Sequence, residues 1–230
     1  MVHFTLFGIP VYIRPSFWVV LAIFGGALSI SSVEDLIYPA LFVIAGFIAI
    51  LSHEMGHALV GRRLGGGQQT IVLELFGGLT SSHGMQLTRG GRALMILAGP
   101  MMTLLLGIIS LWLTWNIVAP VMASHNLGFW DLAISPFTAA LISPKLYILS
   151  CLIMIGEWWT ILNLLPIYPL DGGQLIAQYI RSPRKVFMTG FITAILIGLL
   201  SFQFFHGYFI PIFMALFAYS NYREYKNAPF

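Results

Sequence analysis

Apolar residues run along this chain in long blocks, separated by short clusters of arginine, lysine, glycine and proline. A helix crossing a hydrocarbon core of ~30 Å needs roughly 20 mainly apolar residues, fewer with mismatch. Six blocks suit that role, at about 16–31, 36–60, 92–119, 145–166, 186–204 and 207–222. The first and last are short, and the fifth and sixth part only around His206 and Gly207. The N-terminal stretch MVHFTLFGIPVYIRP lacks the basic-then-apolar order and the small-residue cleavage site of a removable leader, so the first block reads as a retained span.

Two segments depart from the helical pattern. In 68–83, Ile71, Leu73 and Leu75 alternate with Val72, Glu74 and Phe76, and Gly77-Gly78 follow. Period-two alternation predicts strands, and the run is too short to span, so a hairpin dipping into the protein is expected. In 163–173, Pro166, Pro169, Gly172 and Gly173 interrupt the fourth block. Proline removes a backbone donor, and non-helical backbone at membrane depth persists only where protein or a wet cavity satisfies it. The expected fold is therefore an all-α polytopic membrane protein: one domain, 1–230, with six spans and a short re-entrant β-hairpin.

Charge placement adds an orientation. With six spans both termini share a side, and only Lys145 of the eleven basic residues falls opposite them. The positive-inside rule then puts both termini in the cytoplasm. Acidic Glu34, Asp35 and Asp131 fall on the far side. Composition agrees with a bilayer as solvent: 58% of residues are hydrophobic and 8% charged, against about 25% charged in a soluble domain. Net charge is +3, but the basic residues lie in short clusters between apolar runs, which does not indicate nucleic acid. Cys151 is the only cysteine, so neither an internal disulfide nor a thiolate metal cluster can form.

The second block carries His53-Glu54-Met55-Gly56-His57, an H-E-x-x-H pattern. On a helix the two histidines are one turn apart on one face and can bind one Zn²⁺ through neutral imidazoles. Glu54 lies beside that face and can take a proton from water held there. Ionisable groups inside a span are costly to desolvate and mark function by default, although interhelical hydrogen bonds also account for buried histidines. A catalytic zinc usually takes three protein ligands, so a third must come from elsewhere. Asp171, at the break beside two glycines, is the best candidate. Its residue type serves equally well as the N-cap of the segment that follows.

HEMGH in the second block, together with NLLPIYPLDGG more than a hundred residues later, resembles the site-2 protease family of intramembrane metalloproteases, peptidase family M50. The likeness extends to the GIPVYIRPSFWVV lead-in, the hairpin with its glycine pair, and the Ala98-Gly99-Pro100 segment. It implies zinc held by His53, His57 and Asp171, with Glu54 as general base. It matches Asn163 to an asparagine that steadies substrate or the developing oxyanion; an interhelical hydrogen bond explains Asn163 as well. Thr103 stands where the family commonly has asparagine, which puts a local packing contact in question. Members often carry PDZ or CBS domains; this chain reads as the catalytic core without them.

The expected function is zinc-dependent endopeptidase activity on membrane proteins, within or near their transmembrane segments, in the plasma membrane of a prokaryote. Gly77 and Gly78 are candidates for letting a substrate backbone approach an unpaired hairpin edge. A metal transporter and a non-catalytic scaffold are the competing classes. His83 and Glu157 are weaker candidates, read as surface groups; His3, His125 and His206 are read as solvated.

Overall fold

The computed structural model describes residues 1–75, 77–84, 86–125, 136–205 and 209–229. Asp131, His206 and Gly207 lie outside the described residues, as does Phe76. The chain divides into two compact units, Met1–Thr160 and Ile161–Phe230.

The first unit opens with a hairpin not anticipated from the sequence. Strands β1 (Val2–Leu6) and β2 (Ile9–Ile13) pair antiparallel with Leu6 opposite Ile9. Phe7 and Gly8 form the two-residue turn, and both have positive φ (50° and 75°). Such a turn matches the natural twist of the strands it joins. β2 buries Ile9, Val11 and Ile13 on one face. It then pairs parallel to β3 (Gln68–Glu74), which pairs antiparallel to β4 (Gly77–His83). The result is a four-stranded sheet in the order β1-β2-β3-β4.

The all-α expectation is thus corrected. The fold is mostly helical, but the expected hairpin is half of a sheet whose other half is the N-terminus. Its β3 edge is already filled by β2; the edge with a single neighbour is that of β4. Glu74 pairs with Gly77, so Gly77 and Gly78 begin β4.

Helix α1 (Pro15–Phe24) starts with proline at its first position, where a missing N–H is harmless. Its Phe17 and Leu21 pack with Ile9, Val11, Ile13, Ile71 and Leu73 of the sheet, and with Ile50, Leu51 and Met55 of α2 (Ile37–Gly65). The sheet is thereby fastened to the zinc-motif helix by apolar burial. Two polar ties add to this: Arg62 Nη1 donates to Phe7 O at 2.8 Å, and Arg14 pairs with Glu74 at 2.8 Å. Helix α3 (Arg89–His125) packs on α2, with α4 (Pro136–Ile142) and α5 (Pro144–Asn163) following. Cys151 is buried in a core with Ala45 and Leu152.

In the second unit α5 ends at Asn163, and an irregular stretch leads to α6 (Asp171–Ala177). Helices α7 (Pro183–Phe205) and α8 (Phe209–Asn227) pack together around Ile167, Ala194, Met214 and Ala218.

Among the described residues, four helices are long and apolar enough to cross a membrane, over Ile37–Gly65, Arg89–Ile117, Pro144–Asn163 and Pro183–Gln203. Their outward faces are apolar, as with Met101, Ile108 and Trp112 of α3 and Leu196 and Leu199 of α7. Exposed apolar surface on that scale suits lipid rather than water. The block expected at 16–31 forms only the ten-residue α1 and short turns, and α8 ends in Arg223, Glu224 and Lys226.

Candidate metal centre

His53, Glu54 and His57 stand together on the middle of α2, and all three are buried. Burial of this kind is unfavourable unless each polar atom is answered. For His57, Nδ1 lies 2.9 Å from Met95 O of α3. A carbonyl only accepts, so Nδ1 carries the proton and Nε2 keeps its lone pair. That is the tautomer a metal ligand needs, fixed by a hydrogen bond to its other nitrogen. The two Nε2 atoms of His53 and His57 face each other at 3.1 Å. Two corners of a zinc tetrahedron with Zn–N of about 2.0–2.1 Å lie roughly 3.4 Å apart, so the pair is close to ligand spacing.

Two glycines make this possible. A Cβ on Gly99 of α3 would overlap His57 Nε2 and lie 2.9 Å from His53 Nε2. A Cβ on Gly56 would overlap Ala98 O. The Ala98-Gly99-Pro100 segment is therefore the wall that α2 presses its imidazoles against, and only bare backbone leaves the space. Small residues at crossing points are how helices approach this closely. One turn on, Thr103 is buried, with Oγ1 2.9 Å from Pro100 O and 2.8 Å from Thr160 Oγ1 of α5. The contact that the Thr103 departure put in question is thus a threonine pair joining α3 to α5.

Glu54 meets β4. Thr80 Oγ1 donates to Glu54 Oε2 at 2.7 Å and lies 3.2 Å from Glu54 O. A Cβ on Gly78 would fall 2.5 Å from Glu54 Cδ and 2.6 Å from Oε1. Gly77, with φ of 121°, gives similar room to the ring of Trp159. The glycine pair thus accommodates side chains of this chain itself. Thr80 was missed from sequence because a threonine in a strand is unremarkable there; only its register two residues past Gly78, on the same face, marks it.

In the second unit, Asp171 is the first residue of α6 and is buried. The cap position falls on Leu170. Cβ atoms on Gly172 and Gly173 would overlap backbone of Leu164, Leu165 and Ile167, so these glycines let α6 begin hard against the break. Asn221 of α8 donates from Nδ2 to Tyr168 O at 2.6 Å, holding the same stretch. Asn163 is buried at the end of α5. His83 is exposed at the end of β4, and Glu157 is exposed on α5. His3 is exposed and stacks on Tyr12.

His53 and His57 in the first unit offer imidazole nitrogens and Asp171 in the second offers a carboxylate; all three are buried and are residue types that hold a metal ion. Two imidazoles and one carboxylate are the donor set of a catalytic zinc that keeps a position open, so the residues fit that metal.

The family model for peptidase family M50 matches residues 41–205, most of the chain. The chain belongs to peptidase family M50, the site-2 protease family. Among M50 relatives, zinc metalloprotease MJ0392 of Methanocaldococcus jannaschii is 28% identical over 94% of this chain and 57% of its own length. Putative zinc metalloprotease sll0528 of Synechocystis is 28% identical over 76% of this chain and 43% of its own length. Putative zinc metalloprotease Rip3 of Mycobacterium tuberculosis is 30% identical over 57% of this chain. The chain spans about half the length of the first curated relatives it matches. The solved site-2 protease from Methanocaldococcus jannaschii has the same fold, with a TM-score of 0.61 over 97% of this chain and 94% of that one, at 23% identity. With four described helices long and apolar enough to cross a bilayer, this M50 chain is an integral membrane protein.

Proposed function

We propose that this M50 chain is a zinc-dependent endopeptidase that hydrolyses peptide bonds in or near transmembrane segments of membrane proteins. The observation that carries the reading is the buried His53–Glu54–His57 cluster, with facing Nε2 atoms 3.1 Å apart on an apolar helix. Buried ionisable residues on such a helix are retained for function.

The zinc ligands are His53, His57 and Asp171. Asp171 is supported by its burial, its place at the helix break and the donor chemistry of the group. When bound, zinc supplies a Lewis acid that polarises a carbonyl and lowers the pKa of water towards ~7. Glu54 takes the proton from the attacking water and passes it to the leaving amine nitrogen. Met95 O keeps His57 in the ligand tautomer. Asn163 offers a side-chain amide for substrate or for the developing oxyanion.

A transmembrane substrate helix hides its carbonyls in its own hydrogen bonds, so it unwinds before cleavage. The single-neighbour edge of β4 supports capture of the unwound segment as an added strand. Gly77 and Gly78 keep that strand free of bulky side chains at its start. We place the enzyme in a prokaryotic plasma membrane; the basic-residue asymmetry supports six spans with both termini in the cytoplasm. Regulated intramembrane proteolysis is the corresponding cellular role.

Zinc-loaded protein incubated with a panel of membrane-anchored substrates tests this. Glu54→Gln should bind zinc as wild type does and lose roughly 10²- to 10⁴-fold in cleavage rate. Wild-type cleavage by that variant excludes Glu54 as the base.

A further inference from the structure

Strand β4 holds the glutamate of the zinc motif from two adjacent positions on one face. Gly78 leaves the space in which Cγ, Cδ and Oε1 of Glu54 sit. Thr80, two residues on and therefore on the same face, donates its hydroxyl to Oε2 at 2.7 Å. Glutamate has three side-chain torsions and is mobile unless held. A buried carboxylate engaged at one oxygen by a short hydrogen bond, with its Cγ, Cδ and Oε1 against the bare Cα of Gly78, has little rotational freedom. A base works only in such a fixed pose, since small misplacements of reacting groups are expensive in rate. The strand is itself anchored, paired along its length to β3 and through it to β2.

We propose that Thr80 is a positioning residue for the general base: its hydroxyl fixes Oε2 of Glu54 and leaves the other oxygen to receive the proton from water. This rests on Glu54 being the base. It assigns β4 a second duty besides offering an edge. A threonine that merely satisfied a buried carboxylate would stabilise the fold, and its loss would not single out the turnover step.

The test uses the zinc-loaded full chain in lipid vesicles, with a membrane-anchored substrate that the wild type cleaves. Thr80→Val keeps the shape and removes the donor; Thr80→Ser keeps the donor. Partners of this kind commonly contribute roughly 10- to 100-fold, so Thr80→Val should lower kcat by that factor while zinc content is unchanged. KM should stay within about twofold, because an interaction used in turnover and not in binding leaves KM alone. Thr80→Ser should recover most of the rate. In infrared spectra, the carboxylate band identified by its disappearance in Glu54→Gln should shift in Thr80→Val and return in Thr80→Ser. Should Thr80→Val fail to fold, Thr80→Ala carries the same comparison. Wild-type kcat in Thr80→Val, an unshifted band, or equal impairment of the serine and valine variants would each overturn the proposal. Cleavage by Glu54→Gln reports separately that the base itself is wrongly assigned.

Discussion

The imidazoles of His53 and His57 are set by what surrounds them as much as by their spacing. Met95 O fixes the tautomer of one, and the bare Cα of Gly99 leaves both Nε2 atoms their space. Gly99→Ala places a methyl group where His57 Nε2 now sits. Zinc affinity should fall by roughly 10- to 100-fold or more, the loss typical when support around a ligand is removed. Competition with a chelator measures it, and unchanged affinity would show that α2 and α3 separate easily. The histidines and Glu54 were legible because the motif has fixed spacing in an apolar helix. Thr80 and Met95 were not, since a strand threonine and a backbone carbonyl leave no pattern in sequence. Thr103 was legible only as a departure; its pairing with Thr160 depends on which helix faces which.

Helices α2, α3, α5 and α7 follow from unbroken apolar runs, and the end of α5 from Pro166, Pro169 and the glycines around Asp171. Apolar length dictates such elements locally, so they are readable. The N-terminal strands were not legible: Ile9, Val11 and Ile13 alternate after Phe7-Gly8, but as a lead-in to an apolar block they do not stand out as a five-residue strand. What no local pattern supplies is the parallel pairing of β2 with β3, across more than fifty residues of chain. That pairing depends on Ile13, buried between the sheet, α1 and α2. Ile13→Ala should cost about 2–5 kcal/mol, as for other buried isoleucines. Thermal unfolding in detergent measures it, and a change below about 1 kcal/mol would mean the N-terminal hairpin contributes little.

With the six proposed spans, Lys145 alone of the eleven basic residues lies opposite the rest. The orientation inferred from it is open to labelling, because Cys151 is buried and its removal leaves a cysteine-free background. Single cysteines at His3 and Lys226 should react only from the cytoplasmic face, and one at Lys145 only from the other. Termini labelled from opposite faces would require an odd number of spans. Separately from orientation, the apolar outward faces of α3 and α7 require lipid or detergent around the protein.

A metal held jointly by the motif helix and by the carboxylate at the break is the core of the proposed function. Zinc bound per chain, determined by elemental analysis after dialysis, tests it most directly in wild type, Glu54→Gln and Asp171→Ala. Wild type and Glu54→Gln should each hold one zinc per chain. In Asp171→Ala, shown by its unfolding transition to be folded, zinc should be lost. Tight stoichiometric zinc in folded Asp171→Ala, or none in the wild type, would contradict it.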